Sequence, residues 1–475
     1  MKKTFLHRGA AFLFCTLATS PATASQLTPN VTLDSEFRLQ AFDQNNANLG
    51  TSSSRNTASS GAESLFRLTA NFTPSTLFYW EGRGVGTLGR GGFESTDTGA
   101  FSNNTSFLEW RQSYVEFNTI HDEPAYARLG RQRFHEPYGL WWSRDFDAAR
   151  IGYVSTVFTG ALSAGEDLFS YNTSHTNLRN NDKNKARAMA EGSWQYFYEN
   201  FIEARAMIQN DYSGVASLGS TEPSDNPNDT DGHLAWGGLR AAGQVHSLFD
   251  GENKIRYRAD LLGVTGTETA NTTTASGPGV LTVTGVNHRH VRGWAFDTGV
   301  DIPLVQESKT QLHLGYAYGS GDGNATDSTD HAFRPTGLDG NFSKIGVLSQ
   351  NADNYGTVLR PELTNLHIFA AGFTRPVLTA ADAGIFYRYY RLADTATSLS
   401  QSGVLNTLND TSHDLGQGID VLFNMDLLKQ YNMTMAKVHD FTLRTSLGGF
   451  RTGSAYGTAD GKIVLRGLAE LKLNF

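Results

Sequence analysis

The sequence predicts an all-β fold, a transmembrane antiparallel β-barrel of about eighteen strands with long extracellular loops and short periplasmic turns. Three observations predict it. Apolar and polar residues alternate with a period of two along most of the chain. The connections between the alternating runs are long and short by turns. The chain opens on a secretory leader, and its final run ends in phenylalanine.

The leader comes first. Met1 to Arg8 is a positive n-region, Gly9 to Ala18 is apolar but too short to span a membrane, and Ala22-Thr23-Ala24 fits a small-residue cleavage site. Residues 1–24 therefore read as a signal peptide and 25–475 as one barrel domain. Cys15 is the single cysteine. It follows Phe14 rather than the small residue a lipid anchor needs, and its removal leaves no cysteine for a disulfide or a metal. The net charge is −8, and loss of Lys2, Lys3 and Arg8 with the leader makes it −11. That balance argues against nucleic acid as a partner. No later window approaches 18 apolar residues, so no transmembrane helix is expected.

The strands follow. Val31 to Leu39 sends apolar residues one way and Asp34, Glu36 and Arg38 the other. Ile202–Ile208, Ile255–Leu261, Leu312–Tyr318, Ala383–Tyr389 and Phe441–Leu447 repeat the pattern, as half-buried strands do. Runs begin near residues 29, 62, 76, 106, 125, 147, 156, 185, 200, 233, 252, 290, 308, 364, 380, 414, 437 and 462. Long polar connections fall around 43–61, 87–105, 136–146, 169–184, 212–231, 267–287, 320–363, 391–413 and 451–461. Tight turns fall at Thr73–Ser75, His121–Pro124, Glu199–Asn200 and Pro376–Thr379. Met425 to Lys437 is long for the periplasmic side and is a candidate to fold under the pore. The last strand, Ile463 to Phe475, has the ending that barrel-assembly proteins read.

Parity assigns the lining. A lipid-facing arginine or lysine at the midplane costs roughly 2–4 kcal/mol, so mid-strand charges point into the aqueous lumen. The inward basic set is Arg38, Arg67, Arg83, Arg150, Arg187, Arg205, Arg240, Arg256, Arg258, Arg388, Arg444 and Arg466. The inward acids include Asp34, Glu36, Glu81, Glu116, Glu191, Glu203, Asp260, Asp297, Asp382, Asp420 and Glu470. As structure alone these are cross-strand ion pairs. As function, the mid-depth residues Arg67, Arg83, Arg150, Arg240, Arg388 and Arg444 form a ring suited to anions. Neighbours such as Glu81, Glu191 and Asp420 temper it, so that a polyanion enters without being trapped.

Other motifs carry less. The chain has no nucleophile elbow, zinc-protease helix or phosphate loop; Gly457 to Ile463 has the wrong spacing for the last. His288 and His290 have metal spacing but lack a third ligand close by. Gly321 to Asp327 has the composition of a calcium loop without its spacing, compatible with weak Ca²⁺ binding only. No cofactor is expected otherwise. Trp141 and Trp142 read equally as a platform for sugar rings or as an interfacial girdle.

Leu129 to Arg150 is the densest knot of charge and aromatics, around the breakers Pro137 and Gly139. Its middle, Phe134 to Asp145, is expected as a loop at the outer rim. Arg150 points inward. Arg131 and Arg133 share the side of Leu129, so either a bulge turns them or they lie above the lipid.

Three stretches resemble the alginate export family: Leu129–Arg133 with Trp141-Trp142 and Asp145–Arg150; Gly319–Gly323 with Phe333–Gly337; and Tyr355–Leu366. The resemblance covers essentially the whole mature chain. It implies an outer-membrane porin of about eighteen strands that releases a polyuronate, with an arginine-rich constriction and inward-folded loops as gates. By motif it places Arg131, Arg150 and Arg360 on the pore lining. Arg67, Arg444 and Arg466 join them on strand parity. The implied partners are an anionic polysaccharide, outer-membrane lipids and periplasmic secretion proteins, and a monomer is expected because a barrel of this size encloses its own channel.

Two rival readings stand beside export. One is an uptake porin for small anionic or aromatic nutrients on the same scaffold. The other is a barrel enzyme acting on lipid or peptide, which needs a convergent catalytic set at a loop rim that the chain does not display.

Overall fold

The computed structural model describes residues 25–475 apart from 51–56, 90–105, 119, 121–122, 175–176, 181, 225, 247–253, 306–308, 325–326, 341, 345–350, 405–406 and 436. The leader, most of the 87–105 connection and part of the His121–Pro124 turn lie outside the described residues.

Among the described residues, eighteen long strands run antiparallel in chain order. They are β1 (Val31–Asn45), β2 (Thr57–Thr73), β3 (Thr76–Gly89), β4 (Ser106–Asn118), β5 (Ala125–His135), β6 (Ser143–Val154), β7 (Phe158–Glu166), β8 (Lys185–Phe197) and β9 (Asn200–Asp211). β10 (Thr230–His246), β11 (Lys254–Gly277), β12 (Val280–Val305), β13 (Thr310–Gly319), β14 (Leu366–Leu378), β15 (Ala381–Leu392), β16 (Asp414–Asp426), β17 (Asp440–Thr452) and β18 (Ile463–Asn474) complete the set. β18 pairs with β1 (Phe37 opposite Leu473), which closes the sheet and leaves no edge in lipid. The Phe475 N–H donates to the Ser35 carbonyl, 2.9 Å, and seals the seam.

The period-two pattern becomes two surfaces. Leu108, Leu129, Ile151, Leu162, Leu239, Leu261 and Leu447 lie exposed on the outer wall. Phe72, Phe117, Tyr153, Phe158, Tyr196 and Tyr198 lie exposed near the periplasmic strand ends, as an aromatic girdle does. Their neighbours in sequence point inward and carry the charges.

Three strand starts differ from expectation by four residues or more. β2 begins at Thr57, β6 at Ser143, and β12 at Val280. The last difference is the largest. The connection expected at 267–287 is instead a hairpin that continues 24-residue β11 into 26-residue β12 around Pro278 and Gly279. The threonines at 267, 269 and 272–274 suit a strand that has left the bilayer, where both faces meet water. Their polarity reads as loop only while the lipid is assumed to continue.

The long periplasmic turn forms a short helix, Leu427–Gln430, capped by the Asp426 carboxylate on the Lys429 N–H, 3.0 Å. It rests on β16 and β17, and the Gln430 side chain accepts from the Ala380 N–H, 3.0 Å.

A buried apolar cluster lies inside the barrel, in the half nearer the long loops. It joins wall residues Met189, Met207, Trp236 and Phe450 to loop residues Trp141, Trp142, Leu338, Val358 and Leu359. Segments of the loops are packed into the lumen.

Candidate functional site: a lumen narrowed by two inward loops

The first inward element is the tip of the β5–β6 hairpin. β5 pairs with β4 only from Asn118 opposite Tyr126 to Ser113 opposite Arg131. Above that register the hairpin leaves the wall. Gly130 marks the departure: its φ is +124°, and a Cβ there would stand 2.3 Å from the Ser113 carbonyl oxygen. The edge that β4 loses is taken by residues 171–173. The Trp110 N–H donates to the Tyr171 carbonyl, 2.8 Å, and the Thr173 N–H to the Leu108 carbonyl, 2.9 Å. The wall stays hydrogen-bonded while the hairpin leans inward.

Phe134 to Asp145 therefore lies across the lumen, not at the outer rim. Glu136 reaches β10, 2.7 Å from Arg240 Nη1. Its carboxylate also accepts the N–H groups of Tyr138 (2.9 Å) and Trp141 (3.2 Å). Burial works to raise the Glu136 carboxyl, but the Arg240 guanidinium beside it prevails and holds it below the usual carboxylate range. Tyr138 lies under Arg240 and Arg258, 4.6 and 4.4 Å from its ring. Behind the tip, Arg111 of β4 donates to Asp145, 2.8 Å.

Trp141 and Trp142 are buried in the lumen, 2% and 1% exposed, so they form neither an open sugar platform nor a lipid girdle. Trp141 lies on Gly238, where a Cβ would come within 2.7 Å of the indole. A small inward residue is the seat for a large inserted one.

The second inward element belongs to the connection between β13 and β14. Its first part runs along the hairpin: Ser143 N–H to Leu338 carbonyl, 2.5 Å, and Gly340 N–H to Gly139 carbonyl, 2.7 Å. Burial and the neighbouring Glu362 carboxylate push Asp339 up to about 7, and burial also raises Glu362. Its later part crosses the lumen. The Asn354 amide donates to the Tyr138 carbonyl (2.8 Å), the Tyr355 hydroxyl to Asp297 (2.7 Å) and the Thr357 N–H to Asp420 (3.3 Å). Val358 sits over Gly448, another small wall residue. The two elements meet at Tyr138 and Asn354 and divide the lumen between them.

The expected arginines separate into three groups. Arg240, Arg388 and Arg466 tie the inserted loops to the wall. Arg240 is 1% exposed and also bonds Asp260 (2.6 Å) and Glu203 (3.3 Å). Arg388 pairs with Asp420 and donates to the carbonyls of Asn354 and Asp353, both 3.1 Å. Arg466 donates to the Thr357 carbonyl and lies over Phe42. Arg360, in the loop itself, has a positive φ of 43°.

A second group stays on the wall. Arg67 bonds Glu81 (3.0 Å) and Glu36 (3.5 Å), Arg83 lies between Glu63 and Glu109, and Arg150 pairs with Glu191. Arg444 stands opposite Glu470 in register, its buried Nε without a hydrogen-bond partner.

Arg131 stands apart. Alternation runs unbroken through Gly130, so Arg131 shares the outer face with Leu129. The strap that refills the wall covers it. Its guanidinium lies 4.0 Å from the Tyr171 ring centre and bonds Asp167, 3.2 Å. Arg133 lies on the same face, 3.6 Å from Asp145.

The sequence pattern that defines the alginate export family matches residues 89–466. The chain belongs to the alginate export family. It is 24% identical over 392 residues to "Alginate production protein AlgE" of Pseudomonas aeruginosa, covering 80% of this chain and 78% of that one. In fold it is similar to the crystal structures of OccAB1 and OccAB2 of Acinetobacter baumannii. The first shows a TM-score of 0.56 at 11% identity, over 96% of this chain and 99% of that chain. The second shows 0.53 at 10% identity, over 93% and 98%. The chain is an outer-membrane barrel.

The three stretches that carry the alginate export resemblance coincide with the two inward elements and their seats. Residues 129–150 are the inserted hairpin, 319–323 and 333–337 flank the way to its seam, and 355–366 cross the lumen. Glu136, Tyr138, Tyr355 and Gly238 are positions of the inserted elements and their seat that alternation alone does not single out. Among the described residues no cluster of three or more His, Cys, Asp or Glu side chains is placed to hold a metal.

Proposed function

We propose that this alginate export family member is a passive, anion-preferring channel that releases an alginate-like polyuronate and performs no covalent chemistry. What supports it is the set of inward arginines, of which Arg240, Arg388 and Arg466 hold the two inserted loops. Arg67, Arg83, Arg150, Arg240, Arg360, Arg388, Arg444 and Arg466 form the proposed path. Glu81, Glu191 and Asp420 weaken each contact so that the polymer keeps moving.

The ion pairs also give the path a gate. Glu136 and the backbone carbonyls of Asp353 and Asn354 occupy Arg240 and Arg388 while the loops are docked. A uronate carboxylate presents the same acceptor. An advancing polymer exchanges for the loop contacts, and the arginines keep a partner throughout, which avoids the cost of an unpaired buried charge.

The test is deletion of the gene with assay of secreted uronic acid. Secretion is expected to fall to background and to return with the wild-type chain. Normal secretion with lost growth on a small organic acid overturns export in favour of uptake.

A further inference from the structure

The inserted loops fill the half of the lumen nearer the cell exterior. One wall of the opposite, periplasmic mouth carries a different arrangement. Tyr79 of β3 and Tyr114 of β4 are register partners, with rings 5.1 Å apart and 25° from parallel. Arg128 of β5 lies 4.3 Å over the Tyr114 ring and 5.9 Å from that of Tyr126. Tyr126 in turn lies flat on Gly152 of β6, where a Cβ would meet the ring at 2.3 Å. All of these alternate with the lipid-facing Phe117, Leu129 and Ile151 and so face the lumen.

Barrel stability does not account for this wall. Aromatic residues at barrel ends gather on the outside, at the lipid interface, whereas these three rings face water. Arg128 and Arg150 are direct cross-strand partners, and like charges so placed destabilise a sheet. Each is drawn to a different carboxylate, Arg128 to Glu116 (2.6 Å) and Arg150 to Glu191. The guanidinium groups turn apart, that of Arg150 toward Glu191 and the Phe134 ring, 5.3 Å away, and the buried Nε of Arg150 has no hydrogen-bond partner.

We propose that Tyr79, Tyr114 and Tyr126 with Arg128 form the docking platform on which a uronate chain first lands at the periplasmic mouth. Tyr114 is held between Tyr79 and Arg128, so the lumen side of this cluster, with Tyr126, meets the pyranose rings, and Arg128 and Arg150 take carboxylates. This rests on the export reading and adds a direction to it: the platform lies on the side from which export begins. The polymer is aligned there before it meets the inserted loops.

The experiment is current block of the purified full-length channel in a planar bilayer by an alginate oligosaccharide added to one side at a time. Wild type is expected to be blocked at lower concentration from the periplasmic side. Tyr79→Leu/Tyr114→Leu raises that half-blocking concentration by about tenfold. Tyr79→Phe/Tyr114→Phe, which keeps the rings, retains the block, as does Tyr153→Leu on the lipid face. Arg128→Gln, with every ring intact, weakens the block and supplies the answer if the leucine pair fails to fold. Block of wild type that is unchanged in both the leucine pair and Arg128→Gln overturns the platform and leaves export standing. Absence of block from either side overturns export and the platform together.

Discussion

Two hairpins of this barrel leave the bilayer in opposite ways. β11–β12 is long: its strands pair from Arg256 opposite Asp301 to Gly277 opposite Val280, and β10 supports it from His246 to Thr230. β5–β6 is half that length and bends into the lumen. Length does not decide which hairpin closes the pore. The decision lies in lateral pairing and in the stretch of wall that the hairpin lands on. β10 follows β11 for all of its own length, whereas β4 releases β5 after Arg131 and accepts residues 171–173 in its place. The released hairpin then finds Gly238 as a seat and Arg240 as an anchor. β12 also leaves β13 beyond Ala295 and takes Thr329–Asp330 instead, but β10 still holds β11 and the hairpin stands outside; β5–β6 loses β4 and β7 together, above Arg131 and Asp147, and is free to insert.

The sharpest way to break this contrast is to remove the anchor. Glu136→Ala leaves Arg240 with Asp260 and Glu203, so the loss is smaller than for an isolated buried pair. We expect the docked hairpin to be weakened by about 2–3 kcal/mol. Single-channel conductance should rise, and protease should cut between 134 and 142. Conductance equal to wild type would remove the hairpin from the role of closing element. The outward hairpin supplies the control, since shortening it around Pro278 should leave conductance where it was.

The next test compares the two turns in the backbone. Gly130 and Gly279 both have positive φ, +124° and +74°. A Cβ at Gly130 meets the Ser113 carbonyl, while at Gly279 nothing lies within 4 Å. Gly279→Ala pays only the left-handed backbone cost, about 1 kcal/mol. Gly130→Ala adds a clash with the strand it must leave, and about 2–3 kcal/mol is expected. Urea unfolding from lipid vesicles reads both, and equal midpoints would show that the departure from β4 does not depend on Gly130.

The wall of this protein was legible in its sequence, and its interior was much less so. Mid-strand charge is costly in lipid, which makes parity readable at Arg67, Arg150 and Arg240 without any coordinates. It also reads Arg131 as sharing a face with Leu129, which is where that residue lies. The motif resemblance had put Arg131 on the pore lining; the inward lean of its hairpin explains the conflict, because the outer face of an inserted hairpin is still inside the protein. Insertion itself leaves almost no local trace. Glu136 finds Arg240 across 104 positions of sequence, and nothing near either residue announces the other. Trp141 and Trp142 misled for the same reason. Exposed aromatics at strand ends belong to the girdle, and only Gly238 on a distant strand shows that these two are buried.

The mildest effect expected is on pH, and it falls on the inserted side alone. Asp339 lies beside the seam between Gly340 and Gly139, with Glu362 adding its charge, and its carboxyl is pushed up to about 7. A carboxyl raised in the docked loop binds more protons there than in a released loop, whose pKa is near 3.9. Docking is therefore favoured below that value and weakens as pH climbs to about 7, beyond which the penalty is complete. Glu362 is raised in the same direction. Conductance should accordingly increase from pH 4 toward 7 and level off above it. Asp339→Asn keeps the side chain's size and removes its charge, so it should hold the loops docked across this range and flatten the profile. A slope that survives in Asp339→Asn combined with Glu362→Gln would place the titrating group elsewhere. Shortening the β11–β12 hairpin around Pro278, clear of its lumen contacts at Arg258, Glu268 and Asp297, should leave the pH profile as it is.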